Sequence, residues 1–216
     1  MKQIRELFQA TDMTVGRPWE KIVAFTLPML IGNIAQQLYN TVDSIVVGKY
    51  VGDNALAAVG SAGPILNLLL VLFIGISMGA SIMVAQYYGA KQRKDLSCTI
   101  GNCILLTAAA VAIIMVLSLI IVKPLLVLLK TPESIIGWCT SYLMIMFIGI
   151  VGCAYYNILS GVLRGLGDSF SALLYLLVST VLNIALDLLF VAKLGMGVSG
   201  VALATVIAQA VSAVLC

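Results

Sequence analysis

Long apolar stretches separated by short charged segments make up almost the whole chain. Six windows contain no charged residue: 22–42, 54–90, 96–122, 134–163, 169–186 and 194–216. A helix needs about 20 apolar residues to cross the hydrocarbon core of a bilayer, and each window is close to that length or exceeds it. The pattern therefore predicts an all-α polytopic membrane protein with six transmembrane helices. The predicted spans lie near residues 22–48, 58–88, 98–121, 134–162, 170–192 and 199–216.

The composition agrees with a protein that lives in lipid. Hydrophobic residues make up 62% of the 216 residues and charged residues 10%, against about 25% charged residues in soluble domains. The chain has no histidine, and its five cysteines show no C-x-x-C spacing. No metal motif or catalytic constellation is visible, so we expect neither an enzyme nor a cofactor. The net charge is only +3 and the basic residues lie in short clusters between apolar stretches, so we expect no nucleic-acid partner.

The basic residues predict how the spans are oriented. Eight Lys and Arg side chains lie in the N-terminal segment and in the loops near 91–95 and 164–168, and four lie in the opposite loops. This excess predicts that both ends face the cytoplasm. Residues 1–20 are predicted to be a cytoplasmic or interfacial segment, followed by a six-helix domain over 21–216. Because the last apolar stretch ends at Cys216 without a basic or aromatic anchor, we expect the natural protein to continue.

Two acidic residues lie inside predicted spans rather than in loops. Asp43 falls in the first span and Asp187 in the fifth, where each costs about 2.5–3.5 kcal/mol at a helix centre. Lys49 and Lys193 each follow one of these aspartates by six residues, which turns a helix by about 240° and prevents a pair within the same helix. Each carboxyl must therefore pair across helices, carry a proton or bind an external cation.

Polar residues at helical spacing accompany the two aspartates. The members of these stripes are Asn33, Gln36, Asn40 and Asp43 in the first span, Ser179, Asn183 and Asp187 in the fifth, and Thr205, Gln209 and Ser212 in the sixth. Lipid rejects such stripes, so they predict a shared wet cavity. The alternative is hydrogen bonding between helices without a cavity.

Proline and glycine residues add expectations about helix shape. Pro28 removes a backbone hydrogen bond in the first span, which makes it a candidate bending point. Gly75 and Gly79 form a G-x-x-x-G pair in the second span, and such pairs usually allow close helix packing.

Several segments resemble the multidrug and toxic compound extrusion (MATE) family in family order. The first is LPMLIGNIAQQLYNTVDSIVVGKYVG at 27–52, which is similar to the first helix of that family. The further matches are ALAAVGSAGPI at 55–65, GASIMVAQYYGAK at 79–91, LRGLGDS at 163–169, LNIALD at 182–187 and GVALATVIAQ at 200–209. The resemblance implies the N-terminal six-helix lobe of a twelve-helix transporter whose C-terminal lobe would be a missing partner.

The resemblance also implies a cation site and a function. The family's N-lobe ligands fall on Asp43, Asn183, Asp187 and Thr205, with the Val201 carbonyl as a possible fifth. Prokaryotic members exchange H⁺ or Na⁺ for organic, often cationic, drugs, so either ion is the expected coupling ion and the bacterial cytoplasmic membrane the expected location. The residues expected to line the substrate cavity are Gln37, Asn40, Asn157, Ser179 and Gln209. A lipid-linked sugar flippase of a related fold is the alternative, although such a protein would usually line its cavity with cations.

Overall fold

A computed structural model describes residues 17–216, and helices account for nearly all of them. The elements are α1 Pro18–Tyr50, α2 Asp53–Gly89, α3 Arg93–Leu128, α4 Glu133–Ile148, α5 Ile150–Gly165, α6 Ser169–Asp187, a π-helical segment Leu188–Lys193, and α7 Gly197–Leu215. Within the described residues, α1, α2, α3, α7 and the run of α6 with the π-helical segment are each long and apolar enough to cross a membrane. Together α4 and α5 form a sixth candidate span. The predicted all-α membrane fold is confirmed.

The first helix begins slightly earlier than the sequence pattern indicates. Arg17 is extended, with φ −79° and ψ 119°, and Pro18 occupies the first turn, where its missing N–H costs nothing. The predicted domain boundary at residue 21 therefore falls within α1. Residues 1–16 of the predicted cytoplasmic or interfacial segment lie outside the described residues.

Individual residues determine the conformation of two short connections, the one between α1 and α2 and the one before α6. Gly52 joins α1 to α2 with φ 106°, a left-handed conformation that glycine adopts without a side-chain penalty. At the start of α6, Asp168 Oδ1 accepts a hydrogen bond from the Ser171 N–H at 2.9 Å. This cap satisfies a backbone donor that the first turn of a helix leaves free.

The helices pack around α7, which contacts α4, α5 and α6, while α1 packs chiefly against α6 and α2 against α5. Small residues on α5 allow the closest approaches. A Cβ at Gly152 would lie 2.8 Å from the Ala210 backbone nitrogen, and one at Gly165 would lie 2.7 Å from the Ser81 carbonyl oxygen. The expected close packing at Gly75 and Gly79 is wrong within the described residues, where no atom lies within 4 Å of a Cβ at either position.

The fourth span is broken rather than continuous over 134–162. The axes of α4 and α5 differ by 48° across Gly149. A Cβ on Gly149 would collide with the side chain of Val206 on α7. The bend therefore occurs where α7 approaches the backbone most closely, and only a residue without a side chain fits that contact.

Candidate functional site

The two intramembrane aspartates lie face to face. Asp43 is on α1 and Asp187 is the last residue of α6, and the packing of α1 against α6 brings their carboxyl groups together. They are close enough for one carboxyl, when protonated, to donate a hydrogen bond to the other. Asp187 is fully buried and Asp43 is 9% exposed. The two aspartates that the sequence analysis places inside spans thus lie close together.

A polar pair on α6 and α7 completes one side of this cluster. Asn183, one turn before Asp187, donates its Nδ2–H to Thr205 Oγ1 at 3.4 Å. The Thr205 hydroxyl also lies beside Asp43. Val201, one turn before Thr205 on the same helix, is fully buried. All five predicted cation-site residues therefore belong to three adjoining helices.

Two tyrosines belong to the same cluster and were missed by sequence reasoning. Tyr39 lies one turn before Asp43 on α1, and its phenol lies beside Thr205 and the carboxyl pair. Tyr142, on α4, also interacts electrostatically with both Asp43 and Asp187. The i, i+4 spacing between Tyr39 and Asp43 was the available signal, but a tyrosine within an apolar span resembles core. Nothing in the sequence pattern marks Tyr142.

Most oxygen atoms of the cluster lack a hydrogen-bond donor. The buried side-chain oxygens without a partner among the described residues are Tyr39 Oη, Asp43 Oδ1, Asn183 Oδ1, both Asp187 oxygens and Gln209 Oε1. An ionised carboxylate only accepts hydrogen bonds, and two of them in a low-dielectric site repel each other. A proton shared between the carboxyls, or a hard cation held by these oxygens, would remove both costs.

No basic side chain among residues 17–216 forms an ion pair with either carboxylate. Lys49 and Lys193 are both exposed, and the one ion pair in the described part of the chain joins Arg17 to Glu20 at 3.4 Å. Between residues 17 and 216, no group of three or more His, Cys, Asp or Glu residues could hold a metal ion. The donor set is therefore two carboxylates with neutral oxygens, which suits a proton or a weakly bound monovalent cation better than a transition metal.

The helix geometry changes at Asp187 itself. The α-helical hydrogen-bonding pattern of α6 ends at this residue, and the next six residues, Leu188–Lys193, form the π-helical segment. Such segments often mark functional sites, because they change the direction of side chains within an otherwise continuous helix. Periodicity in the sequence gave no indication of this change.

The predicted cavity residues on α1 face away from the aspartate pair. Gln37 and Asn40 are exposed, and Asn40 Nδ2 donates to Gln37 Oε1 at 3.3 Å. The buried face of α1 carries Tyr39 and Asp43, whereas Gln37 and Asn40 lie on its exposed face. A shallow groove of about 290 Å³ runs along the exposed face. Its lining residues are Asn33, Ile34, Gln37, Leu38 and Thr41.

The other predicted cavity residues are spread over three helices. Ser179 lies one turn before Asn183 on α6 and is 3% exposed, and Gln209 lies one turn after Thr205 on α7. Asn157 on α5 donates to the Cys153 carbonyl oxygen of its own helix at 2.8 Å. Among the described residues, no hydrogen bond joins Asn157 to the carboxylate pair or to the α1 groove. Gln37 and Asn40 thus share the exposed face of α1, and Ser179 and Gln209 lie on the adjoining helices α6 and α7, so a cavity lined by all five residues stays a prediction.

Comparisons with known proteins agree on one family. The MatE family model matches residues 28–189. The chain is 32% identical over 204 residues to "Probable multidrug resistance protein YpnP" of Bacillus subtilis, covering 94% of this chain and 46% of that protein. It is 35% identical over 193 residues to "Probable multidrug resistance protein YoeA" of the same organism, covering 88% of this chain and 42% of the relative.

The fold matches solved structures of the same kind. A crystal structure of a MATE protein in the bent conformation superposes with a TM-score of 0.86 and 28% identity, covering 100% of this chain and 46% of that one. The chain therefore spans about half the length of the relatives it matches. This extent corresponds to one lobe of such a protein.

Proposed function

The chain belongs to the MatE family of membrane transporters, and we propose that it is the N-terminal lobe of a multidrug exporter driven by H⁺ or Na⁺. The family confirms the expectation of a transport protein rather than an enzyme. The bacterial inner membrane and a cytoplasmic N-terminus are part of the proposal. The names of the Bacillus relatives support drug export as the activity. Alternating access in transporters of this architecture needs two lobes, so we propose transport for the two-lobe protein.

One observation carries the coupling role, namely the facing pair of buried carboxyls, with which no Lys or Arg in the described part of the chain forms an ion pair. With no cation bound, Asp43 and Asp187 repel each other across the α1–α6 contact. A proton or Na⁺ removes that repulsion, and Asn183 Oδ1 and the Thr205 hydroxyl offer further oxygens. Occupancy of the site therefore changes the energy of the contact between α1 and α6.

The position of Asp43 on α1 would connect cation occupancy to substrate binding. Gln37 and Asn40 lie within two turns of Asp43 on the exposed face of the same helix. The α1 groove, which Gln37 helps to line, combines amide and hydroxyl groups with apolar side chains, a lining that suits an amphipathic organic molecule. Pro28 has no backbone N–H, so α1 lacks one hydrogen bond at this point and bends more easily. A bend of α1 there would reshape this groove and release the substrate.

Charge favours an organic cation as the substrate. The α1 groove contains no basic residue among its lining side chains, and the Asp43 carboxyl lies on the buried face of the same helix. The negative charge of the carboxylates would attract both a cationic substrate and the coupling ion. Because the two cations repel each other, binding of one would weaken binding of the other. A lipid-linked sugar flippase is not favoured, because the anionic headgroup of such a lipid would meet this field without a compensating Lys or Arg.

Efflux of a fluorescent organic cation from cells tests the proposal in a transporter that carries this lobe. Asp43→Asn and Asp187→Asn should each abolish active efflux while membrane abundance stays unchanged. Asp95→Asn provides a matched control, since Asp95 is exposed in the first turn of α3. Wild-type efflux in the Asp43 and Asp187 variants would refute the coupling role.

A further inference from the structure

Three basic residues lie close together in the turn between α2 and α3. Lys91, Arg93 and Lys94 are all exposed, and none of them forms an ion pair within residues 17–216. Asp95 follows them directly, and it too is exposed and without an ion pair in this part of the chain. The turn therefore carries a net positive charge. We use the name basic triad for Lys91, Arg93 and Lys94.

Backbone hydrogen bonds hold the triad in a compact turn. The Lys91 N–H donates to the Tyr88 carbonyl oxygen at 3.1 Å, and the Gln92 N–H donates to that of Tyr87 at 3.0 Å. The Arg93 N–H donates to the Lys91 carbonyl oxygen at 3.1 Å. Lys91 itself has φ 58°, a left-handed conformation that residues with a side chain rarely adopt. The three charges are therefore attached to a tightly folded segment rather than to an extended loop.

Both the spacing and the position of these cations are unfavourable for the lobe alone. Like charges that are held close together repel each other. Arg93 and Lys94 also occupy the first turn of α3, where the free N–H groups of a helix carry a partial positive charge and cations are disfavoured. Asp95, in the same turn, offsets only part of this cost. An anion bound by the triad would remove the repulsion.

The end of α2 brings the triad to the level of the lipid headgroups. With 37 residues α2 is about 55 Å long, so its ends extend beyond a hydrocarbon core of about 30 Å. Exposed side chains change along its last turns from the apolar Ile82 and Met83, through the amide of Gln86, to the phenol of Tyr88. Ile82 and Tyr88 are about 9 Å apart along the helix, close to the thickness of about 5–7 Å of one headgroup layer. With the triad next, this order matches a phospholipid from acyl chain to headgroup.

We propose that the basic triad binds the headgroup of an anionic phospholipid, with Tyr88 at the level of the glycerol backbone. The inference is independent of the cation site formed by α1, α6 and α7. A phosphodiester headgroup with a net negative charge, such as that of phosphatidylglycerol, accepts charge-assisted hydrogen bonds from the Arg93 guanidinium and the two lysine ammonium groups. A zwitterionic headgroup brings its own ammonium group close to the same cations, so it binds more weakly.

The turn after α3, at the opposite end of the lobe, provides a comparison. Lys130 is exposed there and has φ 53°, the same backbone conformation as Lys91. Residues 124–136 contain no other Lys or Arg, and they include the acidic Glu133. Lys130 is therefore a single cation in a comparable turn, without the clustering that would bind an anionic headgroup.

Quenching of tryptophan fluorescence by brominated lipids measures the lipid preference at the triad. The chain has two tryptophans, Trp19 and Trp138, so Trp19→Phe and Trp138→Phe combined with Tyr88→Trp leave one reporter beside the triad. The chain is reconstituted in phosphatidylcholine bilayers that contain either brominated phosphatidylglycerol or brominated phosphatidylcholine. The two quenching curves give the relative binding constant of the lipids at that position. We expect phosphatidylglycerol to bind at least about fivefold more tightly, the factor for one basic side chain near an anionic surface.

Charge-removing variants show whether the triad is responsible. Lys91→Gln, Arg93→Gln and Lys94→Gln together should abolish the preference for phosphatidylglycerol. Lys130→Gln in the same background is the matched control and should leave the preference unchanged. Lys94→Gln alone should reduce the preference, and it keeps the test valid if the triple variant fails to insert into the membrane.

Three results would overturn the proposal. The first is equal quenching by the two lipids at Tyr88→Trp, or a preference that survives the loss of all three cations. The second is an equal preference at the native Trp138, near the start of α4, in a chain that carries Trp19→Phe alone, because a general property of the membrane surface would then explain the result. The third is loss of the preference on addition of glycerol 3-phosphate but not of NaCl at the same ionic strength, which would identify a soluble anion as the ligand.

Discussion

The carboxyl group of Asp43 on α1 faces that of Asp187 at the end of α6, and no Lys or Arg among residues 17–216 pairs with either. Two helices that pack against each other therefore share a cluster of acceptor oxygens at the centre of their contact. The free energy of that contact depends on whether a proton or a cation occupies the cluster.

Removing the Thr205 hydroxyl should weaken the cation site without removing a carboxylate. Thr205→Val preserves the shape of the side chain but leaves the Asn183 Nδ2–H without its acceptor. We expect cation affinity to fall by about tenfold, as for other residues that orient ligands. Calorimetric titration of the purified chain measures the change. Thr107→Val is the control, because the buried Thr107 hydroxyl donates to the Cys103 carbonyl oxygen within α3. An unchanged affinity in Thr205→Val would exclude Thr205 from the site.

Sodium binding should weaken as the pH falls. The site can bind Na⁺ only through ionised carboxylates, so protons compete with Na⁺ for Asp43 and Asp187. Lower pH therefore increases the Na⁺ concentration needed for half-saturation, and higher pH decreases it until both carboxyls are ionised. Calorimetric titration of Na⁺ at two pH values, with choline as the control cation, measures the shift. An affinity independent of pH would contradict competition at this pair.

Replacing Pro28 should impair the bending of α1 but leave the affinity of the site for its cation unchanged. It lies inside α1, which continues as one helix from Pro18 to Tyr50, and it is far along the helix from Asp43. Pro28→Ala restores a backbone hydrogen bond and should stiffen the helix. We expect slower drug efflux by the two-lobe transporter and unchanged cation binding by the lobe. A normal efflux rate would show that bending at Pro28 is not required.

The close contact of Gly152 on α5 with α7 predicts that an alanine at this position lowers the stability of the fold. Gly152→Ala would place a methyl group 2.8 Å from the Ala210 nitrogen and 2.9 Å from the Ala210 Cα. Overpacking against backbone usually costs about 1–3 kcal/mol, so the midpoint of thermal unfolding in detergent should fall. Gly101→Ala is the control, since no atom lies within 4 Å of a Cβ there. Equal midpoints for the two variants would contradict the observed packing of α5 on α7.

Much of the fold followed from the sequence because lipid imposes a simple rule. Charged residues cannot remain in spans without a reason, so the charge-free windows gave the spans, and Asp43 and Asp187 were conspicuous. The break at Gly149 was not predictable, because it depends on the approach of Val206 from a distant helix.

The site was predictable in its carboxylates and amides, and less so in its remaining members. Tyr39 and Tyr142 were missed because tyrosines are ordinary constituents of apolar spans. Gln37 and Asn40 were expected beside the aspartates in one cavity, and the rotation of α1 instead turns them to its exposed face. Periodicity gives the spacing of a stripe but not the rotation of its helix against its neighbours, which packing with α6 decides.

The most direct test of the central claim asks whether Asp43 and Asp187 form one cation site. Infrared difference spectra of the chain in lipid are recorded between low and high pH for the wild type, Asp43→Asn, Asp187→Asn and the control Asp95→Asn. If the two carboxyls share a proton, removing either one should change the pH at which the other titrates and shift its band, because the titrations are coupled. Asp95→Asn should leave both carboxyl bands unchanged. Spectra in which each variant only loses its own band, while the other carboxyl titrates as in the wild type, would contradict a shared site.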